Sequence, residues 1–584
     1  MYEIEREPNF NEHPFYQNDD IESFIGYERI ISEIKRKIQE TGRDKVVVVI
    51  DCFYGIDQKT LADCLASQLG AETVIDSEEA KLPEKEVFRK FEKFIVPKDR
   101  SWGVMAVGTV DEFFNPDMIS ELRDRIEKAE GTVVVYGTAA SVITRGDILV
   151  YANIPTMLLR GKLAMGLDNW GAGNFEEEQL RKDKRSMFVE WPLLNKHKLP
   201  LLQVMDYYID YSDEKEPVML TKETLFEVVR SLSERPFQLV PIFMKAVWGG
   251  HWMQKVFGVH QNAQNLGWGL TGHMNIQYLT VRTKGKEMLI NGEDLLFIEP
   301  KKMLGNSIFY LWGYRCPVTT NYLDTWGGGN LSLQVHAPFW YVQQYLNGTN
   351  GHHESYYMMD TTDHSSVYLG LKTGTKVKEM VADLQKAQDT GGKFDDEKYV
   401  NHIPMKKHQH VFIPGGTVHC SGEGTCVLEI DQYTIATFKL YDWGRVDLDG
   451  KPRPINIDHG QHCIQEDFQT EFVYENLIAK QPQIAEGDGW RCDDTSAMNY
   501  EPMKIHRYWI SKSVDIVCHD AIQILVQVEG EEAVIESVNG SFEPFTVHYG
   551  ESTFIPAAVG EYIVRPAGKS EGQEIAIVVI SYPN

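Results

Sequence analysis

The chain has no apolar run long enough to cross a bilayer. Its longest, VVVVI at 46–50 and IAIVVI at 575–580, are strand-sized, so no membrane partner is expected. The first fifteen residues, MYEIEREPNFNEHPF, hold no apolar stretch of the kind a secretory signal needs. The eight cysteines show no C-x-x-C spacing, which fits reduced thiols in a cytoplasmic protein. Basic residues are also scarce: 58 Lys and Arg stand against 85 Asp and Glu, for a net charge of -27. No basic run offsets that excess, so no nucleic-acid partner is expected. A local group of Lys and Arg can still bind a phosphate inside an acidic protein.

At 584 residues the chain exceeds what one core supports. Its first third, about 1–205, reads as α/β. VVVVID (46–51) is a continuous apolar strand, and the turn CFYGIDQ leads into a helix near Lys59 and Thr60. Further strands are expected at SWGVMAVG (101–108) and GTVVVYG (131–137), with the helix ISELRDRIEKAEG between them. A strand, a glycine-bearing turn and Lys-Thr at a helix start outline a phosphate-binding loop. That loop needs glycines where this chain has Phe53 and Gln58. DCFYGIDQKTLAD resembles the loop of the uridine-kinase-like P-loop family, and the missing glycines make a degenerate, structural domain the expectation. Residues 200–235, with DYYIDYSDEKEP, are expected to act as a linker.

From 236 the texture becomes all-β. Short strands alternate with Gly/Asn/Asp turns, as in KGKEMLINGEDLLFIEP, GNSIFYLWG and SSVYLGLKTG. A helical insertion is expected near 375–400. The last hundred residues repeat the pattern: FIPGGTVH (412–419) is echoed by FIPAAVGE (554–561), with Glu561 in the histidine's place. Two related barrels follow, 236–480 and 481–584, the second without metal ligands and structural in role.

The most specific signal lies in the first barrel. Gln334 and His336 are two apart in NLSLQVHAPF, so a strand aims both at one face. His419 follows a Pro-Gly-Gly turn, and Glu354 lies between the two segments. Two imidazoles, a carboxylate and an amide oxygen suit zinc or another borderline divalent ion. The long, irregular spacing fits ligands brought from separate strands rather than a local motif such as H-E-x-x-H.

These segments resemble the class I mannose-6-phosphate isomerases, which are zinc-dependent cupins. The matching strings are AVWGG (246–250), LDTWGGGNLSLQVHA (323–337), HHESYYMMD (352–360), VYLGLK (367–372), FIPGGTVHCSG (412–422) and VLEI…FKLYDWGR (427–445). The resemblance implies a double cupin of jelly-roll barrels and one Zn2+ per chain, held in the first barrel by Gln334, His336, Glu354 and His419. It implies an aldose–ketose isomerase with a small-molecule sugar phosphate, or a sugar, as partner. The chain departs from the family at three positions: His352 and Asn321 stand where it has lysines, and Lys439 where it has arginine. A guanidinium grips a planar anion with a fixed fork and an ammonium does not. Lys439 and Arg445 are therefore the electrostatic candidates and His352 the proton-transfer candidate. Weaker candidates are Lys406, Lys407 and His459, and alternation puts Tyr356 on the face of Glu354. Two other readings stay open: an isomerase or epimerase of a different sugar, and a sugar-binding regulatory protein without turnover.

Overall fold

The structure, a computed structural model, describes residues 7–434, 436–498 and 501–582. The chain divides into two compact units. One comprises Phe15–Ser231 with Tyr278–Ile298; the other comprises Met1–Pro14, Leu232–Gln277 and Glu299–Asn584.

The first unit is α/β. Its sheet has seven strands in the order Phe24–Ile25, Val218–Thr221, Tyr207–Asp210, Ile148–Asn153, Val46–Cys52, Thr132–Thr138, Thr73–Asp76. The last five of these are mutually parallel. Val46–Cys52 lies at their centre and is buried along its whole length, which is why it reads as an unbroken apolar run. The helix Gln58–Leu69 follows it. Asp57 caps that helix with its own carboxylate, which accepts from the Thr60 N–H at 3.1 Å, and Lys59 pairs with Asp63 at 2.5 Å. The backbone donors that a phosphate would use therefore face a resident negative charge.

Three expectations for this unit are corrected. Residues 101–108 form no strand, because Val104 N–H bonds the Phe94 carbonyl and Ala106 N–H the Phe188 carbonyl, both in helical segments. Residues 200–235 are not a linker: they end one helix and supply the strands Tyr207–Asp210 and Val218–Thr221, with the polar tract only the turn between them. KGKEMLINGEDLLFIEP does not belong to a barrel. Tyr278–Thr283 pairs in parallel with Phe15–Gln17 and antiparallel with Lys286–Asn291, and the helix Gly292–Ile298 carries Asp294 into this unit's core. There Asp294 meets Lys198 at 2.5 Å, both almost wholly buried.

The second unit is mainly β and holds two pairs of antiparallel sheets; GNSIFYLWG, expected as a strand, is instead the helix Asn306–Trp312. The first pair has six and five strands, drawn from residues 242–441; the second has six and four, drawn from 483–581. The expected insertion is the helix Val377–Thr390, followed by the short helix Asp396–Tyr399. Between the last two sheets the space is filled by apolar side chains, among them Ile510, Leu525, Ile535, Ile555, Val564 and Ile577. Glu561 is exposed.

A polar tie joins the two sheet pairs. Glu529 accepts from His408 Nε2 at 2.9 Å and pairs with Lys407. Burial alone would raise the Glu529 pKa, but the His408 bond and the Lys407 charge outweigh it and hold the carboxyl at about 2. A depressed carboxylate contributes stability above its unfolded pKa and loses it as pH falls through the folded one. Stability measured by urea unfolding should therefore fall between pH ~4.5 and ~2, and Glu529→Gln should flatten that slope. An identical slope in the variant would remove this tie from the account.

Candidate functional site

The site lies between the six- and five-stranded sheets. In the five-stranded sheet, Leu333–His336 runs antiparallel to Val418–Ser421 on one side and to Thr437–Tyr441 on the other. Gln334 is in register with both His419 and Lys439, and His336 with Thr437, so all five share a face. Val335 and Phe438 take the opposite face. Each imidazole is held through its far nitrogen. His419 Nδ1–H donates to the Thr417 carbonyl at 2.9 Å, which leaves the Nε2 lone pair pointing at Glu354 Oε2, 3.1 Å away. His336 Nδ1 lies 3.1 Å from the Thr437 hydroxyl, and its Nε2 abuts the same Glu354 oxygen. Gln334 reaches His419 Nε2 at 3.3 Å through its amide, and a half-turn of that amide presents the oxygen instead.

The facing sheet supplies the acids. Glu354 opens the strand Glu354–Thr361 and is paired with Asp431, while Tyr356 is paired with Glu429. Asn321, on the next strand, is paired with Glu429, and its amide donates to Glu429 at 3.2 Å and to Asp431 at 3.0 Å. Glu429 and Asp431 are candidate site positions that sequence reasoning missed. Their signal was present: two acids two apart within the apolar run CVLEIDQ, where alternation puts both on one face.

Three buried carboxyls this close cannot all ionise. Burial and the neighbouring acids push Glu429 and Asp431 well above the carboxylate range. Burial would raise Glu354 as well, but His336 and His419 beside it outweigh that and keep it well below. His352 stacks on His336, with ring centroids 3.7 Å apart, and burial followed by the His336 neighbour drives it well below its usual value. It is therefore a neutral base at neutral pH. Tyr356 lies inside, its ring 6.1 Å from that of His419.

Among the described residues, five buried polar atoms here find no hydrogen-bond partner: Glu354 Oε1, His352 Nδ1, Asp431 Oδ1, Asn321 Oδ1 and the Tyr356 hydroxyl. Buried polar atoms left this way are costly unless a ligand completes them. The nitrogens and oxygen of His336, His419 and Glu354 lie within 4.8 Å of one another, a donor set of the hardness and number that zinc takes. The residues fit the ion.

The other candidates are placed as follows. Lys439 is half-buried beside Gln334 on the cavity face. The Arg445 guanidinium is held by the Asp442 carboxylate and the Asn330 carbonyl, at the start of the ligand strand. His459 stacks on Phe438 at 5.1 Å, on the reverse face, and its Nδ1 is 2.7 Å from the Tyr341 hydroxyl. Lys407 is taken by Glu529.

Comparison with known proteins adds the following. Residues 26–234 match a family described as "Domain of unknown function (DUF8485)". The chain is 27% identical over 333 residues to Mannose-6-phosphate isomerase ManA of Bacillus subtilis, covering 57% of this chain and 96% of the relative. It is 27% identical over 235 residues to the Mannose-6-phosphate isomerase of Streptococcus mutans, covering 37% of this chain and 66% of that one. Among solved structures, the Bacillus subtilis mannose 6-phosphate isomerase aligns over 60% of this chain and 99% of its own, at 18% identity and a TM-score of 0.48.

Proposed function

We propose that this chain interconverts mannose 6-phosphate and fructose 6-phosphate. The observation that carries the reading is the buried cluster of His336, Glu354 and His419 facing the Glu429–Asp431 pair, in a chain that matches ManA over nearly that protein's full length. Gln334, His336, Glu354 and His419 would hold one zinc ion. Bound there, zinc supplies a Lewis acid for negative charge developing on the sugar's oxygens.

The chain's own residues account for the rest. Isomerisation moves a proton between C2 and C1. His352 is neutral and has an uncommitted Nδ1, so it accepts a proton within the cavity. Glu429, pushed toward its protonated form, holds a proton that can be returned. Lys439 puts positive charge on the cavity face, and Arg445 stands at the edge of the ligand strand as the phosphate's partner. His352, Asn321 and Lys439 favour a second reading in which another sugar phosphate is the substrate. The α/β unit serves as a P-loop-like structural module, since Asp57 occupies the helix end a phosphate would need. All eight cysteines are free, which suits the cytoplasm. Among the described residues no helix is long and apolar enough to cross a membrane.

The deciding experiment supplies the zinc-loaded protein with mannose 6-phosphate in deuterated water and follows both fructose 6-phosphate and deuterium entering the sugar. The expected result is turnover in the ordinary enzymatic range, on the order of 1–10³ s⁻¹. Neither ketose nor label, with zinc bound, would overturn the proposal.

A further inference from the structure

The zinc ligands leave half of the polar cluster unexplained. Glu354 gives one oxygen to His336 and His419, while its other oxygen, Oε1, points elsewhere without a partner. Close to Glu354 stand also His352 and Asp431. A ligand atom from each lies within 4.8 Å of Glu354 and of the other, and these three residues form a separate triad of metal-binding type. His352 Nε2 and Asp431 Oδ1 are 4.0 Å apart, beyond hydrogen-bonding range but near enough to share a cation. Asn321 spends its amide hydrogens on Glu429 and Asp431, which leaves its carbonyl oxygen without a partner. His352, Glu354 and Asn321 are all more than nine-tenths buried, so bulk water does not complete them.

We propose that His352, Glu354 and Asp431 form a second divalent-cation site, with Glu354 common to it and to the zinc site. The charge count favours this. Glu354, Glu429 and Asp431 could carry three negative charges in one enclosed space. One divalent ion balances two of them and leaves the third in need of a further cation or a proton, and two neighbouring metal ions are an established arrangement in enzymes. Asp431 takes part through one oxygen while its other keeps the Asn321 bond. The proposal shares Glu354 and His352 with the isomerase reading. It also has a consequence for it: a cation on His352 and a proton on His352 exclude one another, so turnover by the route above uses the second site when it is free.

Zinc stoichiometry tests the proposal without reference to turnover. The full chain is stripped with a chelator, titrated with ZnCl2, freed of excess by gel filtration and analysed for metal. Two ions per chain are expected for the parent and one for Asp431→Asn, a near-isosteric change that keeps an acceptor for Asn321. His352→Gln serves as the second variant and is also expected to hold one. Far-UV circular dichroism and thermal unfolding confirm that each variant is folded. Saturation of the parent at one ion overturns the second site, as does retention of two ions by both variants. A parent that binds two ions but converts no sugar leaves the second site standing and removes the isomerase reading instead.

Discussion

Replacing His419 by alanine is expected to lower kcat/KM for the sugar phosphate by on the order of 10³-fold or more, and to strip the protein of tightly held zinc. The size follows from position. His419 is fully buried, its Nδ1 is fixed by the Thr417 carbonyl, and its Nε2 lies against both Glu354 and Gln334. The side chain is thus pre-aimed, and alanine deletes the donor without giving the neighbours a substitute. The lost imidazole also leaves Glu354 without one of the two groups that hold it ionised. Metal content and steady-state rates on the same preparation check both halves of the expectation. A variant that kept its zinc and its rate would place the chemistry away from this cluster. One that kept its fold and lost both would tie metal to turnover.

The other large effect is on stability. Lys198→Met should destabilise the α/β unit by about 3–5 kcal/mol, because it leaves a buried carboxylate without its counter-charge. Lys198 and Asp294 are 1% and 0% exposed and 2.5 Å apart. Asp294 keeps only neutral partners without the lysine: the Asn153 amide at 2.9 Å and the Tyr208 hydroxyl at 3.1 Å. The Lys198 ammonium also sits 5.3 Å from the Phe297 ring and 5.7 Å from the Phe53 ring, contacts that methionine partly retains. The loss should therefore be electrostatic, and adding Asp294→Asn to Lys198→Met should recover most of it. Denaturant unfolding of the single and double variants separates the cases. Equal losses in both would mean that packing, not charge, is what the pair supplies.

What could be read from the sequence was whatever is encoded locally. VVVVI announced a strand buried on both faces, and Gln334-x-His336 announced two side chains on one face. The Pro-Gly-Gly turn before His419 marked a strand start. What could not be read depends on partners far along the chain. Tyr278–Thr283 and Lys286–Asn291 look like any hairpin, and nothing within them names Phe15–Gln17 as a neighbour. SWGVMAVG has a strand's composition, but its amides are claimed by Phe94 and Phe188. Tyr207–Asp210 hid beside a polar turn. Glu429 and Asp431 escaped because acids in a strand usually face water; here the strand lies between two neighbours in the middle of a sheet and its alternate face is the cavity.

The return of residues 278–298 to the α/β unit bears on how this polypeptide can be made and dissected. Neither body is an uninterrupted length of chain. A ribosome that has delivered residue 231 has not yet delivered two strands and a helix that the first body requires, and by residue 298 it has already emitted the opening strands of the other. The two bodies must therefore mature in overlapping order. An expression fragment ending near 235 would emerge with unfilled strand positions and no Asp294 for Lys198. Deletion from the front would orphan the same 21 residues inside what remains. A clean division of this protein requires excising or relocating that segment, not a single cut.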